Sequence, residues 1–254
     1  MQPARNTMQT IFRSNAGAIL RTLRNLILSK TGIDRDALAC IYLSGNGIEI
    51  GALHVPTKLP RSAKVRYVDR LSIPELRKHY PELNSHKIAQ VEIICDGETL
   101  DAIEDSSQDF VIANHFLGHC ENPIKALTNL VRVLRSGGIL FLSIPDKRYT
   151  FDKNRQVTSF SHLVQDFVEG PSLSRNEHFR DWATNVENKM REETIQRRVG
   201  ELTSMNYSIH FHVWTQKEMC ELFFRLKEQF LVPIELQLFM KRAGEVVFIF
   251  KKET

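Results

Sequence analysis

Residues 47–69, GIEIGALHVPTKLPRSAKVRYVD, decide the fold. Gly47 to Ile50 read as a strand that runs straight into a turn at Gly51. Lys64 to Asp69 read as a second strand that closes on an acid, twenty residues after Glu49. Outward from this unit, short apolar runs keep alternating with helical patterns. That alternation is the signature of a parallel α/β sheet.

Ile73 to Tyr80 reads as a helix with Pro74 in its first turn. Val91 to Cys95 and Asp109 to Ala113 are the third and fourth strands. Asn122 to Leu134 is a helix with Ile124, Leu127, Leu130, Val131 and Leu134 along one side, and Gly137-Gly138 is a helix-ending signal. Ile139 to Ile144 is the fifth strand, halted by Pro145. The alternation then breaks. Residues 146–207 are polar and helix-prone, and they are too long for a structureless connection, so an inserted, partly helical cap is expected there. Regularity returns with an amphipathic helix over Thr215 to Phe230, with Thr215 as N-cap and Glu218 three residues on. Pro233 to Met240 and Glu245 to Phe250 read as two strands joined by a turn at Ala243-Gly244. The expected fold is α/β: a doubly wound, mostly parallel, seven-stranded sheet with an antiparallel C-terminal hairpin and a helical insertion after strand five. Residues 34–254 are expected to form a single domain, with 146–207 as its cap.

Composition agrees and excludes other classes. The 254 residues are 42% hydrophobic and 25% charged, which rules out disordered, collagen-like and coiled-coil chains. No apolar stretch reaches the 18–20 residues of a membrane span. Of the net charge of +4, five basic residues lie in 1–33, a stretch with no acid, and taking them away leaves −1 for the rest. The body therefore lacks a basic footprint for nucleic acid. Within the basic N-terminal extension, residues 17–30 place Ile19, Leu20, Leu23, Leu26 and Ile27 on one helical face. A helix packed on the domain, a basic surface helix for a membrane or acidic partner, and a cleaved targeting segment all fit it. The four cysteines form no CxxC pair and have no zinc-finger spacing, and their dispersal points to a reducing cytoplasm.

In an open α/β sheet, ligands bind beyond the carboxyl ends of the strands. Those ends are Glu49-Ile50-Gly51, Asp69, Asp96-Gly97 and Asn114-His115, an acid or amide at each of four successive strands. A glycine at the first turn admits close backbone approach. An acid ending the second strand can accept both hydroxyls of a ribose. A nicotinamide dehydrogenase would place its ribose acid similarly but needs GxGxxG after the first strand, and that fingerprint is missing.

This order of glycine turn, ribose acid, adenine acid and polar fourth-strand end resembles the class I S-adenosylmethionine-dependent methyltransferases. LVRVLRSGGILFLSIPD (130–146) resembles the family's helix-glycine-strand-five unit, and ANHFLGHCENP (113–123) its motif after strand four, with Gly118 where an acid is more usual. The first motif carries one glycine where the family usually has two or three. EIGALHxP (49–56) and the stretch that follows the first turn, LPRSAKVRYVDRLSIPELRKHYPEL (59–83), resemble a bacterial subgroup often found near surface-glycan genes. The resemblance implies that Glu49, Gly51 and Ala52 face the methionine part of S-adenosylmethionine. It implies that Asp69, with Arg70, holds the ribose and that Asp96-Gly97 meets the adenine. Asn114 and His115 would close the pocket near the reacting sulfur.

Six of the nine histidines lie between 115 and 212. A histidine suits proton removal from an acceptor hydroxyl, and His115, His119 and His178 are the catalytic candidates. Arg148, His162, Arg175, His178, His210 and His212 are the candidate substrate contacts from the cap. His210 and His212 form an HxH that on a strand would present both imidazoles to one face. Substrate contact, packing, or a metal completed by His162, His178 or Asp166 all fit that pattern, and no metal is assigned. The expected activity is methyl transfer to an oxygen or nitrogen of a small polar acceptor, a sugar or glycan precursor among the candidates. The alternatives are a non-catalytic binding module and a metal-dependent enzyme built on the histidine-rich cap.

Overall fold

The computed structural model describes residues 33–254. The basic N-terminal helix expected over 17–30 lies outside the described residues. The strands are β1 (Gly45–Ile50), β2 (Ala63–Asp69), β3 (Val91–Ile94), β4 (Gln108–Asn114), β5 (Leu134–Pro145), β6 (Ile234–Arg242) and β7 (Glu245–Lys252). They form one sheet in the order β3-β2-β1-β4-β5-β7-β6. The first five are mutually parallel, β7 runs antiparallel to β5, and β6 runs antiparallel to β7. The expected mixed sheet with its terminal hairpin is what the chain builds.

Both faces of the sheet are covered, and the two-residue period of the strands sorts the side chains. Val111 and Ala113 of β4, Leu140 and Leu142 of β5, and Phe248 and Phe250 of β7 enter one core. They pack there with α3 (Pro123–Val133) and α7 (Gln216–Phe230). The intervening residues, Phe110, Ile112, Phe141, Val247 and Ile249, face the other side with Leu38 and Ala39 of α1 (Arg35–Tyr42). The remaining helices are α2 (Ile73–His79), α4 (Phe160–Glu169), α5 (Arg175–Asn185) and α6 (Glu192–Ser204). The last three fill the 146–207 insertion. No helix of the described residues is long and apolar enough to cross a membrane.

The helix starts follow local chemistry. The Asn122 side chain accepts from the Lys125 amide at 3.0 Å and caps α3 ahead of Pro123. Thr215 and Glu218 close the expected capping box of α7. Two differences from the sequence reading stand out. Helix α1 is short and was not read from its pattern; Asp34 starts it by accepting from the Ala37 amide at 2.8 Å. Strand β5 begins at Leu134, not at Ile139, because Leu134 already pairs with Gln108. A register shift between Gln108 and Phe110 absorbs Gly137, which sits at φ +77 inside the strand span rather than ending the helix.

Candidate functional site

The strand order reverses between β1 and β4, where such a sheet takes its ligand. Two cavities of about 500 Å³ each open there. Gly51, His54, Asn114 and His115 line both, so the two are halves of one crevice. One half extends over the ends of β2 and β3, to Asp69, Arg70, Asp96, Gly97 and Glu98. Leu76, Tyr80 and Tyr207 form its less polar wall. The other half extends toward α1 and the start of β7 and is lined by Arg35, Glu49, Ala52 and Glu245 among others. All nine residues expected to hold a cofactor border one half or the other.

Two glycines are required here. Gly51 has φ +63, a conformation other residues adopt only with strain. A Cβ on it would meet no atom of the described residues within 4 Å, so among them the space above it is open to a ligand. A Cβ on Gly97 would stand 2.8 Å from Ile50 and Phe116, so that turn admits nothing larger.

A directed hydrogen-bond chain leads from Asn114, which borders both halves, to the buried Thr57 and Glu49. The Asn114 Nδ2 donates to Thr57 Oγ1 at 2.9 Å, and Thr57 Oγ1 donates to Glu49 Oε1 at 2.7 Å. The Thr57 amide also donates to the Glu49 carboxylate, at 3.1 Å. Glu49 is buried, and burial pushes its carboxyl up despite these donors. Its observed work is to hold the loop after β1. The chain fixes the Asn114 amide with Oδ1 turned away from Thr57. That oxygen is buried and has no donor among the described residues, on a residue that borders both halves.

His115 follows β4 at φ +54, a strained value for a residue with a side chain. Its amide donates to the Ser143 carbonyl at 2.8 Å, which anchors the turn on β5. Its Nε2 lies 2.6 Å from Glu245 Oε2. Arg35 stands 3.6 Å from the same carboxylate oxygen. Burial opposes ionisation of Glu245, but the His115 hydrogen bond and charge, with Arg35, prevail and hold its carboxyl below the usual range. Neither Glu245 nor Arg35 carried a sequence signal, because each reaches the site only by long-range packing.

The opposite half is acidic. Burial pushes Asp69 up against the amides of Leu71 and Arg70. Glu98 was also unforeseen. It accepts from the amides of Glu121 at 2.6 Å and Asn122 at 3.0 Å, yet burial still raises its carboxyl to about 7. The folded chain therefore keeps a proton on Glu98 that the unfolded chain releases near 4.5. Stability from this group is present below that value and is lost as pH rises through about 7, by on the order of 3 kcal/mol. Urea unfolding at about pH 5 and about pH 8 should show this slope in the natural chain and a reduced one in Glu98→Gln. Equal slopes in both chains would remove Glu98 as its source.

The cap candidates divide. Arg175 reaches the crevice, but on the Asp69 side, where it pairs with Glu121 at 3.4 Å and bonds Asn206. Arg148 lines neither half: its guanidinium is forked onto Asp146 at 2.9 and 2.6 Å. His119 lines the crevice, with Nδ1 at 3.1 Å from Ser208 Oγ. Burial, then the neighbouring His210, push its imidazole down to about 3, so it is a poor base. His178, His162 and His212 lie outside both halves and cluster with Asp166. Burial lowers His178 to about 4 and His212 well below its usual value. The HxH does not act as a unit. Residues 207–213 form no ladder, so no two-residue period aligns the rings. His210 turns to Asp152, 2.7 Å away, within the buried network that Arg155 makes with Asp152 and Asp181.

Residues 45–142 match the family model described as a methyltransferase domain. The chain carries an S-adenosylmethionine-dependent methyltransferase domain. No curated protein sequence matches it. Among solved structures, it is similar to a Rhodobacter sphaeroides protein described as a Zn-dependent alcohol dehydrogenase. Identity there is 12%, coverage 87% of this chain and 90% of that one, and the TM-score 0.54, a likeness of fold alone. It is also similar to a SAM-dependent methyltransferase from Thermotoga maritima at 17% identity, covering 86% and 87% of the two chains with a TM-score of 0.45. A third is the Burkholderia thailandensis 1,6-didemethyltoxoflavin-N1-methyltransferase, solved with 1,6-didemethyltoxoflavin and S-adenosylhomocysteine. It shows 13% identity over 100% and 92% of the chains, with a TM-score of 0.47. The residues present fit the cofactor on two observations. No described atom stands within 4 Å of a Cβ built on Gly51, and the Asn114 Oδ1, on a residue that borders both halves, is an acceptor without a partner among the described residues.

Proposed function

We propose that the methyltransferase domain moves a methyl group to an oxygen or nitrogen of a small polar acceptor, with sugars and glycan precursors the class to test first. The observation that carries this is the two-halved crevice, acidic at the strand ends on one side and centred on His115 and Glu245 on the other. Asp69 accepts from the ribose hydroxyls of the cofactor and Asp96 from its adenine amino group, with Tyr80 and Tyr207 flanking. Asn114 Oδ1 accepts from the ammonium of the methionine part. When bound, the cofactor supplies an electrophilic methyl group on a sulfonium.

The acceptor occupies the half toward α1 and β7. Methyl transfer in line needs a held nucleophile and little water. His115 removes the acceptor proton. Its Nε2–H donates to Glu245, which leaves Nδ1 as the basic nitrogen, and Glu245 steadies the imidazolium that forms, in the manner of a base and its orienting acid. Arg35 keeps Glu245 ionised. The residues near the acceptor half include both signs of charge, Asp34, Asp36, Arg35 and Arg242, which suits a polar rather than an apolar acceptor. The 146–207 cap shields the cofactor half through Arg175 and Asn206, and the cytoplasm is the compartment that fits the dispersed free thiols of Cys40, Cys95, Cys120 and Cys220.

Calorimetric titration with S-adenosylhomocysteine is the direct test. Binding in the micromolar range is expected. A folded protein that shows none at millimolar concentration would sink this reading.

A further inference from the structure

Behind the crevice, four side chains converge from two cap helices and the segment that follows the cap. His162 and Asp166 stand one helical turn apart on α4, His178 comes from α5, and His212 from the segment before α7. One ligating atom from each can be chosen so that all four lie within 4.8 Å of one another. The His162 and His178 Nε2 atoms are 3.1 Å apart, His162 Nε2 and Asp166 Oδ2 are 3.2 Å apart, and His212 Nε2 is 3.6 Å from that oxygen. A tetrahedral zinc with ligands at about 2.0–2.1 Å has edges of about 3.3–3.4 Å. These three separations bracket that value, and the remaining ones stay within 4.8 Å.

The proton count favours a cation as well. Two Nε2 atoms that face each other share at most one proton, and neither ring can donate to all its neighbours. Asp166 Oδ2 is buried and has no hydrogen-bond donor among the described residues, an arrangement that is rare unless something else neutralises it. The carboxylate among the four is held from outside the cluster. Ser174 Oγ donates to Asp166 Oδ1 at 2.5 Å, and Asn122 Nδ2 donates to the Asp166 carbonyl at 2.9 Å. His212 Nε2 also lies 3.3 Å from the Glu121 carbonyl, its alternative partner when that nitrogen keeps a proton.

We propose that His162, Asp166, His178 and His212 hold a structural Zn²⁺. Three imidazoles and one carboxylate are a borderline-soft set that suits zinc. All four positions are filled by protein, so the site is closed and does no hydrolysis. This separates it from a metal-dependent enzyme built on the cap, and it departs from the HxH pattern, since His210 takes no part. The ion ties α4 and α5 to the segment that carries Tyr207 and Phe211 to the cofactor crevice. It therefore sets where the cap stands.

The test is independent of methyl transfer. Full-length protein is stripped with a chelator and titrated with ZnCl₂ against a chromophoric competitor. One zinc per chain is expected. The affinity is expected to fall at least about hundredfold in His178→Gln and in Asp166→Asn, and to change little in His210→Gln. Cobalt(II) added to the stripped natural chain should give the intense visible absorption of a tetrahedral site. No zinc uptake by folded, stripped protein would overturn the proposal, as would full affinity in His178→Gln. Should a variant fail to fold, the cobalt spectrum of the natural chain decides alone, and an octahedral spectrum counts against the site.

Discussion

His115→Ala is expected to slow methyl transfer to a hydroxyl acceptor by about 10²–10⁴-fold. Its affinity for S-adenosylhomocysteine should change by less than about tenfold, since the side chain stands at the edge between the two halves of the crevice. The measurement is a single-turnover rate with any hydroxylated or amine acceptor that gives turnover in a panel. The split matters: a residue that only shapes the cofactor half would lose affinity and rate together. Glu245→Gln tests the orienting role. An amide can present a donor to Nε2 and stabilise the other tautomer, as happens when an orienting acid is replaced by its amide in other bases. A rate loss in Glu245→Gln with cofactor affinity intact is expected. An unchanged rate in His115→Ala would remove His115 as the base.

Asp69→Ala is expected to weaken S-adenosylhomocysteine by about hundredfold or more. A carboxylate that accepts two ribose hydroxyls makes two charge-assisted bonds, each worth roughly 1.5–3 kcal/mol. The same change should not lower stability. Burial raises the Asp69 carboxyl, so its charge costs the ligand-free fold something at neutral pH rather than supporting it. Asp69→Asn, which keeps the shape, is expected to melt no lower than the natural chain while binding more weakly. Calorimetry and thermal melting on the same samples separate the two effects. Undiminished binding in Asp69→Ala would move the ribose elsewhere in the crevice.

The parts of the site that were legible in the sequence are those that a strand end dictates locally. Gly51, Asp69, Asp96-Gly97 and Asn114-His115 are each fixed by the residue at which an apolar run stops. A parallel sheet brings all such stops to one edge, so their meeting follows from the alternation itself. Glu98 lay two residues past Asp96 and could have been suspected as another acid at the same edge. Glu245 and Arg35 could not. Glu245 is 130 residues from His115 and opens a strand whose pattern speaks only of β structure. The cap was the least legible. Its histidines and arginines look alike along the chain, yet Arg148 is taken up by Asp146, His210 by Asp152, and Arg155 by a buried ion network.

The strand order, the mixed sheet and the acidic edge were legible along the chain, because backbone period and turn chemistry are local; helix α1 and the separate helices of the cap were not. The sequence by itself also determined which residues were available for chemistry. Only the tertiary structure decided who faces whom. It joined His115 to Glu245, split the HxH between two clusters, and gathered His162, Asp166, His178 and His212 around one point. Those pairings depend on how the cap helices pack on the sheet, and packing is set by the whole surface each helix buries rather than by any spacing along the chain.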